Sequence, residues 1–351
     1  MSVPTIEISA PLRIRLDGDA LVGNWRWLDA RSGSAACGAA LKANGYGLGA
    51  REVAIRLADA GCRDFFVATW AEAQALLPVI DGAALSVLHG VRADDMAFAV
   101  GSRARPVLNT PEQVRRWREA GGGACDVMVD TGMNRLGVSV ADVASGLLDG
   151  LEIETLMTHL ASADEDLPVN GLQRDALTDL RGKTSARRLS VANSAGICLG
   201  DSYALDLTRP GIALYGGVPR MEAAGDIRQV VAIETQILQR RRVAAGDMVG
   251  YNGTFRATRA MELAILNLGY ADGYLRCFSG TGYALAGGHE LPVIGRVSMD
   301  LTAICIDTCS DLHEGDWVEI GYDLPDAAMR SGLSQYELLT GLGQRYARVW
   351  S

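Results

Sequence analysis

The sequence predicts an α/β fold in which an N-terminal (β/α)8 TIM barrel is followed by a mostly β C-terminal domain. Three observations favour this fold class. From about residue 37 to residue 208, short apolar runs alternate with loops and with stretches whose apolar residues recur three and four positions apart. The apolar runs number eight, the count that closes a parallel barrel. After about residue 225 the helical stretches almost disappear, and glycine-rich turns separate strand-like runs.

Eight short apolar runs are expected to form the barrel strands, whereas a count of seven would favour an open sheet. A polar or glycine-containing loop follows most of them, as expected where a buried parallel strand leaves the core. The runs are Cys37–Leu41, Phe65–Ala68, Leu85–Leu88, Pro106–Leu108, Asp126–Val129, Thr155–Thr158, Leu189–Ala192 and Ala204–Leu207.

Helices are expected between these strands. Arg51–Ala60 has a single apolar face, and Thr110 with Pro111 and Gln113 has the pattern of a capping box with proline in the first helical position. Further helices are predicted over Asp19–Ala30, 142–149 and 171–181, with weaker ones near 92–100 and 195–203.

The β domain is predicted from six strand-like runs and one helix near Ser334–Leu342. We expect the barrel to span residues 12–225 and the β domain to span residues 226–351, together with residues 1–11. Residues 12–16 alternate like a strand, so they could belong to the β domain rather than to the barrel. The six runs are Val230–Leu238, Met248–Tyr251, Glu262–Leu268, Leu291–Val297, Leu301–Ile306 and Trp317–Ile320.

Length and composition indicate a globular protein of two domains and argue against several partners. The chain has 351 residues, of which 48% are hydrophobic and 21% charged. Its formal net charge of −9 argues against nucleic acid as a partner. No stretch approaches the roughly 20 apolar residues of a membrane span, and the first residues lack the pattern of an export signal. We therefore expect a cytoplasmic protein without a membrane partner.

The cysteines and histidines predict neither a disulfide framework nor a metal site. Seven cysteines are scattered along the chain without a Cys-x-x-Cys pair, and their odd number fits free thiols in a reducing compartment. The four histidines show no metal-ligand spacing.

Functional side chains are expected directly after the strands, because the active sites of such barrels lie at the carboxyl ends of the strands. Five strand ends carry candidates, and their joint placement indicates one site at the barrel mouth. The candidates are Lys42 after the first strand, Asp130–Arg135 after the fifth, His159 after the sixth, Asn193 and Ser194 after the seventh, and Arg209–Gly211 after the eighth.

Lys42 is the candidate nucleophile, because burial lowers the pKa of an amine and leaves it unprotonated for imine formation. The alternative is a lysine whose ammonium reaches solvent at the rim. Tyr46, Ser194 and the backbone N–H groups after the eighth strand could hold a phosphate, and Ser194 could also cap a helix. His159 is either a satisfied core histidine or a residue that orients a neighbour, and Asp130 is expected to cap a turn.

Motifs in both domains resemble those of alanine racemases, and the resemblance extends in order over nearly the whole chain. In the barrel region the motifs are Lys42–Gly47, Asp130–Gly137, Thr158-His159, Ala192–Ser194 and Arg209–Gly216. In the β region they are Val249–Phe255, Gly269–Gly273 and Gly295–Asp300.

The resemblance implies an enzyme that uses pyridoxal 5'-phosphate to interconvert L- and D-alanine and supplies D-alanine for peptidoglycan. Lys42 resembles the lysine that binds the cofactor covalently and acts as base on the D-enantiomer. Tyr251 resembles the opposing base, supplied by the β domain of the partner subunit, which implies a homodimer with shared active sites. Inversion at Cα requires two such groups on opposite faces.

The resemblance also implies roles for the remaining candidates. Arg209 resembles the arginine that faces the pyridine nitrogen, and His159 resembles the residue that orients Arg209 and Tyr251. The phosphate contacts are expected from Tyr46, Ser194, Gly211 and Ile212, with Asn193 beside them. Arg135 and the Met299 backbone are expected to bind the substrate carboxylate, Arg135 also lying near the cofactor's phenolic oxygen, and Tyr270 is expected to line the channel to the site.

Three features depart from the family pattern. Met128 occupies a position where the family often has a carbamylated lysine, so Arg135 is expected to be held by an anion or by another side chain. The family's phosphate-side tyrosine near the C-terminus aligns with Gln344, and Tyr346 lies two residues further on. After Lys42, the more usual alanine and histidine are replaced by Gly45 and Leu48.

Other functions stay open at the level of sequence. A racemase of serine, lysine or several amino acids would use the same residues. A barrel-type amino-acid decarboxylase has a similar architecture, but such an enzyme favours a carboxylate at the ring nitrogen rather than an arginine such as Arg209. A cofactor-binding protein of the single-barrel type would lack the β domain.

Overall fold

The computed structural model describes residues 9–351, which divide into two compact units. One unit spans Asp19–Arg228, and the other combines the described residues up to Gly18 with Gln229–Ser351. The expected barrel limits of 12 and 225 are therefore corrected to 19 and 228. Residues 1–8, which we expected to join the β domain, lie outside the described residues.

Leu12–Leu16 belongs to the β unit because its backbone pairs there on both sides. It runs antiparallel to Val231–Val243 and parallel to Ala347–Trp350. Its leucine and isoleucine side chains are buried and alternate with two arginines, as in a strand with one face in a core. The strand therefore lies outside the barrel unit, which corrects the expected start of the barrel.

Eight parallel strands form the barrel unit, and the predicted fold class is confirmed. The first strand is divided at Gly38, so that its first half pairs with the eighth strand and its second half with the second. Strands two to seven pair in chain order. The strands are Ala36–Cys37 with Ala39–Ala40, Asp64–Val67, Ala84–Val87, Arg105–Leu108, Cys125–Asp130, Ile153–Met157, Arg188–Ser190 and Leu207–Thr208, and Val138–Ser139 pairs beside the fifth.

Backbone hydrogen bonds close the ring between the seventh and eighth strands. The Asp206 N–H donates to the Leu189 carbonyl at 3.1 Å, and the Arg209 N–H donates to the Ala192 carbonyl at 2.8 Å. Nearly every strand residue is buried, as expected when both faces of a parallel sheet are covered. Each predicted apolar run overlaps its strand for this reason.

One helix precedes the first barrel strand, and others lie between successive barrel strands along the chain. Thr110 caps Pro111–Glu119 by accepting from the Gln113 N–H at 3.1 Å. The Gln113 side chain accepts from the Asn109 N–H instead of completing the predicted capping box. The helices are Gly18–Arg31, Ala50–Ala60, Trp70–Leu76, Met96–Ala99, Pro111–Glu119, Val140–Ala144, Pro168–Thr178 and Ser194–Cys198, with 3-10 turns at Ala93–Asp95, Asp201–Tyr203, Ile212–Tyr215 and Met221–Ala223.

Six strands form a closed ring in the β unit. Val231–Val243 is long enough to take part twice, because its first part pairs with Trp317–Ile320 and its last part with Met261–Leu266. The ring continues through antiparallel neighbours. In ring order its members are Val231–Val243, Met261–Leu266, Thr302–Cys305, His289–Ile294, Tyr283–Ala286 and Trp317–Ile320.

Short elements complete the β unit. The predicted helix near the C-terminus is Gln335–Thr340, and Leu324–Ser331 is a second helix that we did not predict. It begins where Asp323 accepts from the Asp326 N–H. The remaining elements are the paired strands Met248–Val249 and Phe255–Arg256 and the 3-10 turns Tyr251–Gly253, Tyr270–Asp272 and Arg276–Phe278.

All seven cysteines are free thiols. Within residues 9–351 no helix has the length and apolar character needed to cross a membrane. In the same part of the chain, no three His, Cys, Asp or Glu side chains group in a way that could hold a metal ion.

Candidate active site

The candidate residues follow the carboxyl ends of the barrel strands. Lys42 comes two residues after the first strand, and His159 comes two residues after the sixth. Asp130 ends the fifth strand, Asn193 ends the short loop after the seventh, and Arg209 directly follows the eighth. Because the strands are parallel members of one ring, these positions meet at the same end of the barrel, where barrel active sites form.

Lys42 lies in an environment that favours its neutral form. The side chain is partly buried, and desolvation lowers its pKa, as do the charges of Arg135 and Arg209, against an opposing contribution from Glu72. The chain contains one other lysine, Lys183, which is exposed in a surface loop. This scarcity is a signal in the sequence that our prediction did not use, and it leaves two candidates for an imine-forming residue.

Lys42 is followed by a left-handed turn. Ala43, Asn44, Gly45 and Tyr46 have φ values of 54°, 55°, 62° and 53°. The left-handed region costs a non-glycine residue roughly 1–2 kcal/mol, so three such residues in one turn require external support. One local backbone hydrogen bond also holds the turn, in which the Gly45 N–H donates to the Leu41 carbonyl at 2.8 Å.

Glu72 supplies external support for this turn. One carboxylate oxygen, Oε1, accepts from the Ala43 N–H at 2.7 Å. The other, Oε2, accepts from the N–H groups of Ala68 and Thr69 at 2.7 and 3.1 Å. Our sequence analysis missed Glu72, although the Thr-x-x-Glu spacing of a capping box begins at Thr69.

Ser194 joins the loops after the seventh and eighth strands. Its hydroxyl oxygen accepts from the N–H groups of Gly211 and Ala213 at 2.8 and 3.3 Å. The helix cap is Asn193, whose side chain accepts from the Gly196 N–H at 2.8 Å, so Ser194 is not the N-cap. A hydroxyl that accepts two bonds still has its own hydrogen to donate to an anion.

The Tyr46 side chain, from the segment after the first strand, lies close to Gly211. Its ring stacks on Tyr215 with centroids 4.6 Å apart. A Cβ added to Gly211 would lie 2.1 Å from the Tyr46 hydroxyl oxygen, so this close approach needs a glycine. The structure therefore brings together Tyr46, Ser194 and Gly211 of the predicted phosphate contacts, and the buried Ile212 follows directly.

Arg209 is buried and held from two sides. Its guanidinium donates to the Ser190 hydroxyl and to the Thr158 carbonyl. Burial lowers its pKa to about 10, against the attraction of the buried Asp126 carboxylate. A guanidinium with this pKa stays protonated at neutral pH, so it can donate hydrogen bonds but cannot accept them.

His159 is held neutral at the mouth. Burial lowers its pKa to about 3, and the positive charges of Arg209, Arg135 and Lys42 act in the same direction. Its backbone carbonyl accepts from the side-chain N–H of the buried Gln173 at 3.1 Å. His159 is thus close to three other candidates, Arg209, Arg135 and Lys42.

Asp130 shapes the loop that carries Arg135. Its carboxylate accepts from the N–H groups of Gly132, Met133 and Asn134 at 2.9, 2.9 and 3.1 Å. Desolvation opposes ionisation, but these bonds lower the pKa of Asp130 overall. The predicted capping role of Asp130 agrees with this geometry. Arg135 itself is exposed.

The β unit carries the remaining candidates in two places. Tyr251 begins the 3-10 turn between the strands Met248–Val249 and Phe255–Arg256, and 67% of it is exposed. Tyr270 and Met299 lie together, because the Tyr270 N–H donates to the Ser298 carbonyl and the next N–H donates to the Met299 carbonyl, both at 3.0 Å.

Comparison with known protein families identifies both units. The model described as "Alanine racemase, N-terminal domain" matches residues 16–219, and "Alanine racemase, C-terminal domain" matches residues 230–350. The chain belongs to the alanine racemase family.

Relatives in this family match over almost their whole length. An alanine racemase of Acidiphilium cryptum is 41% identical over 96% of this chain and 98% of its own. A biosynthetic alanine racemase of Agrobacterium fabrum is 39% identical over 97% of this chain and 94% of its own. The crystal structure of alanine racemase from Bartonella henselae with covalently bound pyridoxal phosphate is 33% identical, with a TM-score of 0.91 over 98% of this chain and 100% of that one.

As an alanine racemase family member, the chain departs from the family pattern at Met128 and near its C-terminus. Met128 is buried in the fifth strand, and Arg135 forms no ion pair with any carboxylate of residues 9–351. Gln344 is exposed, whereas Tyr346 is buried with a hydroxyl that has no hydrogen-bond partner in the described part of the chain.

Proposed function

We propose that this protein interconverts L- and D-alanine and that Lys42 binds its cofactor, pyridoxal 5'-phosphate, covalently. The observation that carries the proposal is the position of Lys42, a partly buried lysine with a lowered pKa at the carboxyl end of the first barrel strand. The Bartonella henselae relative, which binds pyridoxal phosphate covalently, has the same fold at 33% identity.

The residues at the barrel mouth fit this cofactor. The lowered pKa of Lys42 favours imine formation, and the hydroxyls of Tyr46 and Ser194 beside Gly211 and Ile212 suit a phosphate. Arg209 would face the ring nitrogen and leave it without a proton, because its own guanidinium keeps all of its protons. When bound, the cofactor delocalises the electron pair that remains after loss of the Cα proton.

Lys42 and Tyr251 would exchange that proton from opposite faces of Cα. Lys42 would act on the D-enantiomer and Tyr251 on the L-enantiomer. The neutral imidazole of His159 would orient Arg209 and Tyr251. Arg135, whose guanidinium forms no ion pair within residues 9–351, and the Met299 backbone would bind the substrate carboxylate, with Tyr270 at the entrance.

We also propose a homodimer in which each active site takes its Tyr251 from the other subunit. Support comes from the family resemblance and from the placement of the two bases in different units, with Tyr251 exposed.

The relatives carry both biosynthetic and catabolic names, at 39% and 40% identity for two enzymes of Agrobacterium fabrum. We propose that the protein supplies D-alanine for peptidoglycan in the cytoplasm. Disruption of its gene tests this role. Cells without the gene should require added D-alanine for growth.

The deciding experiment for the activity uses individual L-amino acids. Purified protein is loaded with pyridoxal phosphate and incubated with each amino acid, and the enantiomers are separated on a chiral column. L-alanine should approach an equal mixture fastest. Faster conversion of serine or lysine would assign a different substrate, and release of an amine with loss of the carboxylate would assign a decarboxylase.

A further inference from the structure

We propose that Glu72 is a positioning residue for Lys42, which holds the left-handed turn after the lysine and counters the positive charges around its amine. The proposal deepens the function proposed above and rests on Lys42 as the cofactor-binding residue. Glu72 does not contact substrate in this scheme, and it acts through the backbone and the electrostatic field at Lys42.

The Glu72 carboxylate connects two separate backbone segments. Oε1 accepts from the N–H of Ala43, the residue directly after Lys42, at 2.7 Å. Oε2 accepts from the N–H groups of Ala68 and Thr69, which lie between the second strand and the helix Trp70–Leu76. One side chain therefore fixes the start of the turn to the neighbouring strand end.

The shape of the turn explains why this bond matters. The Ala43 N–H is the first donor of a segment in which four successive residues have φ values between 53° and 62°. Such a segment persists only where its surroundings hold it. The Asn44 side chain supports the far end by accepting from the Ala50 N–H at 3.0 Å. Without Glu72, the end nearest Lys42 would lose its side-chain partner.

The charge of Glu72 acts on Lys42 as well. The groups that face this amine are the guanidinium groups of Arg135 and Arg209 and the neutral imidazole of His159. Glu72 raises the pKa of Lys42 against burial and the two arginines. The Glu72 carboxylate thus limits the decrease in the pKa of the Lys42 amine.

Two substitutions distinguish the effect of the Glu72 charge from the effect of its side-chain length. Glu72→Gln keeps the length but removes the charge and presents an amide N–H to one of the N–H donors. Glu72→Asp keeps the charge, but its shorter side chain cannot reach both segments. The matched control is Glu337→Gln, because Glu337 occupies the same position in the Ser334 capping box of the β unit.

The first measurement is the titration of Lys42 in the full-length, cofactor-free chain. Reductive methylation with isotope-labelled formaldehyde in a Lys183→Arg background leaves Lys42 as the remaining lysine, which NMR follows against pH. Glu72→Gln should move the titration of Lys42 to lower pH, while Glu72→Asp and Glu337→Gln stay close to the parent. An unchanged titration, or a move to higher pH, in Glu72→Gln would overturn the electrostatic role.

The second measurement is the affinity of each full-length protein for pyridoxal phosphate. Loss of one hydrogen bond to a charged group should weaken binding about tenfold to a hundredfold in both Glu72 variants but not in Glu337→Gln. Parent-like affinity in Glu72→Asp would overturn the bridging role. A parent protein that neither binds the cofactor nor racemises alanine would instead refute the proposed function, and the NMR titration would still decide the role of Glu72.

Discussion

Lys42 and Lys183 make the cofactor assignment a choice between two residues, because the chain has no other lysine. We expect borohydride reduction of the loaded protein to fix the cofactor on Lys42, since Lys42 is partly buried and has a lowered pKa. Peptide mass spectrometry locates the adduct. Lys183→Arg should keep the visible absorption of the bound cofactor, whereas Lys42→Ala should lose it. An adduct on Lys183 would refute the assignment.

His159 should make folding stability depend on pH. In the folded protein its pKa is about 3 because of burial and the nearby cationic groups, whereas an unfolded histidine titrates near 6.5. The unfolded state binds the extra proton between these values, so the contribution of neutral His159 is complete above pH 6.5 and is lost as the pH falls. Acidification from pH 7 to pH 5 should cost about 2 kcal/mol through this residue.

Urea unfolding of full-length protein at the two pH values checks this expectation. His159→Gln should show a smaller loss of unfolding free energy on acidification than the parent, because glutamine does not titrate. His313→Gln, which alters an exposed histidine, provides the control. Equal losses in the parent and in His159→Gln would contradict the lowered pKa.

Tyr251→Phe should affect the two enantiomers differently. The substitution keeps the aromatic ring but removes the hydroxyl proposed to handle the proton on the L-face, and loss of such a group typically costs about 10²–10⁴ in rate. Racemisation should fall equally in both directions, because the equilibrium constant between enantiomers is one. Exchange of solvent deuterium should continue into D-alanine through Lys42 and nearly stop into L-alanine. Equal loss from both enantiomers would make Tyr251 a positioning residue.

At the scale of elements, the helix Pro168–Thr178 supports the loop around His159 through one buried side chain. Gln173 donates to the His159 carbonyl at 3.1 Å and accepts from the Ala161 N–H at 2.9 Å. Gln173→Leu leaves both backbone groups without this partner, so we expect a loss of about 1–3 kcal/mol in unfolding free energy. The control is Asp175→Asn on the same helix, where only a surface ion pair with Arg174 is altered. A change no larger than the control's would contradict the support role of Gln173.

The barrel strands could be predicted from sequence because burial on both faces gives each strand an overlapping short run that is mostly apolar. The helices Trp70–Leu76 and Leu324–Ser331 are absent from our prediction, although each has a recognisable first turn at Thr69 or Asp323. Both are short, so their periodicity gives little signal. The alternation of apolar and charged residues in Leu12–Leu16 predicted a strand, but such alternation does not identify the strands with which it pairs.

The backbone of the site could not be predicted in the same way. Asn44-Gly45 is a turn signal, but alanine and tyrosine rarely occupy the left-handed region, so the sequence does not indicate that all four residues Ala43–Tyr46 are left-handed. The contribution of Glu72 comes from a different strand–helix connection and follows only from the folded chain. By contrast, Lys42, Arg209 and Ser194 could be predicted from the sequence, because each is a polar residue in a segment that follows a buried strand.

At the scale of the whole molecule, the two units divide the proposed chemistry. Lys42, Arg209 and His159 belong to the barrel unit, whereas Tyr251 and Met299 belong to the β unit. A racemase with one base in each unit needs both units at every site. If the β unit comes from a second subunit, then activity depends on the dimer and not on the folded chain alone.

Mixing two inactive variants tests this dependence directly. Lys42→Ala removes the barrel base, and Tyr251→Phe removes the base of the β unit. In a symmetric dimer with shared sites, a heterodimer of the two variants has one site with both defects and one intact site. Random exchange of equal amounts makes about half of the dimers heterodimers, so activity should return to about one quarter of the parent value.

The controls fix how the mixing result is interpreted. Each variant exchanged only with itself should stay inactive, and co-purification through a tag on one variant should verify subunit exchange. If both bases came from one chain, every site in the mixture would carry a defect, because one variant lacks Lys42 and the other lacks the Tyr251 hydroxyl. Absence of recovered activity despite verified exchange would therefore place both bases in the same subunit. Recovery near one quarter would assign them to different subunits, because no site built from a single chain could become complete by exchange.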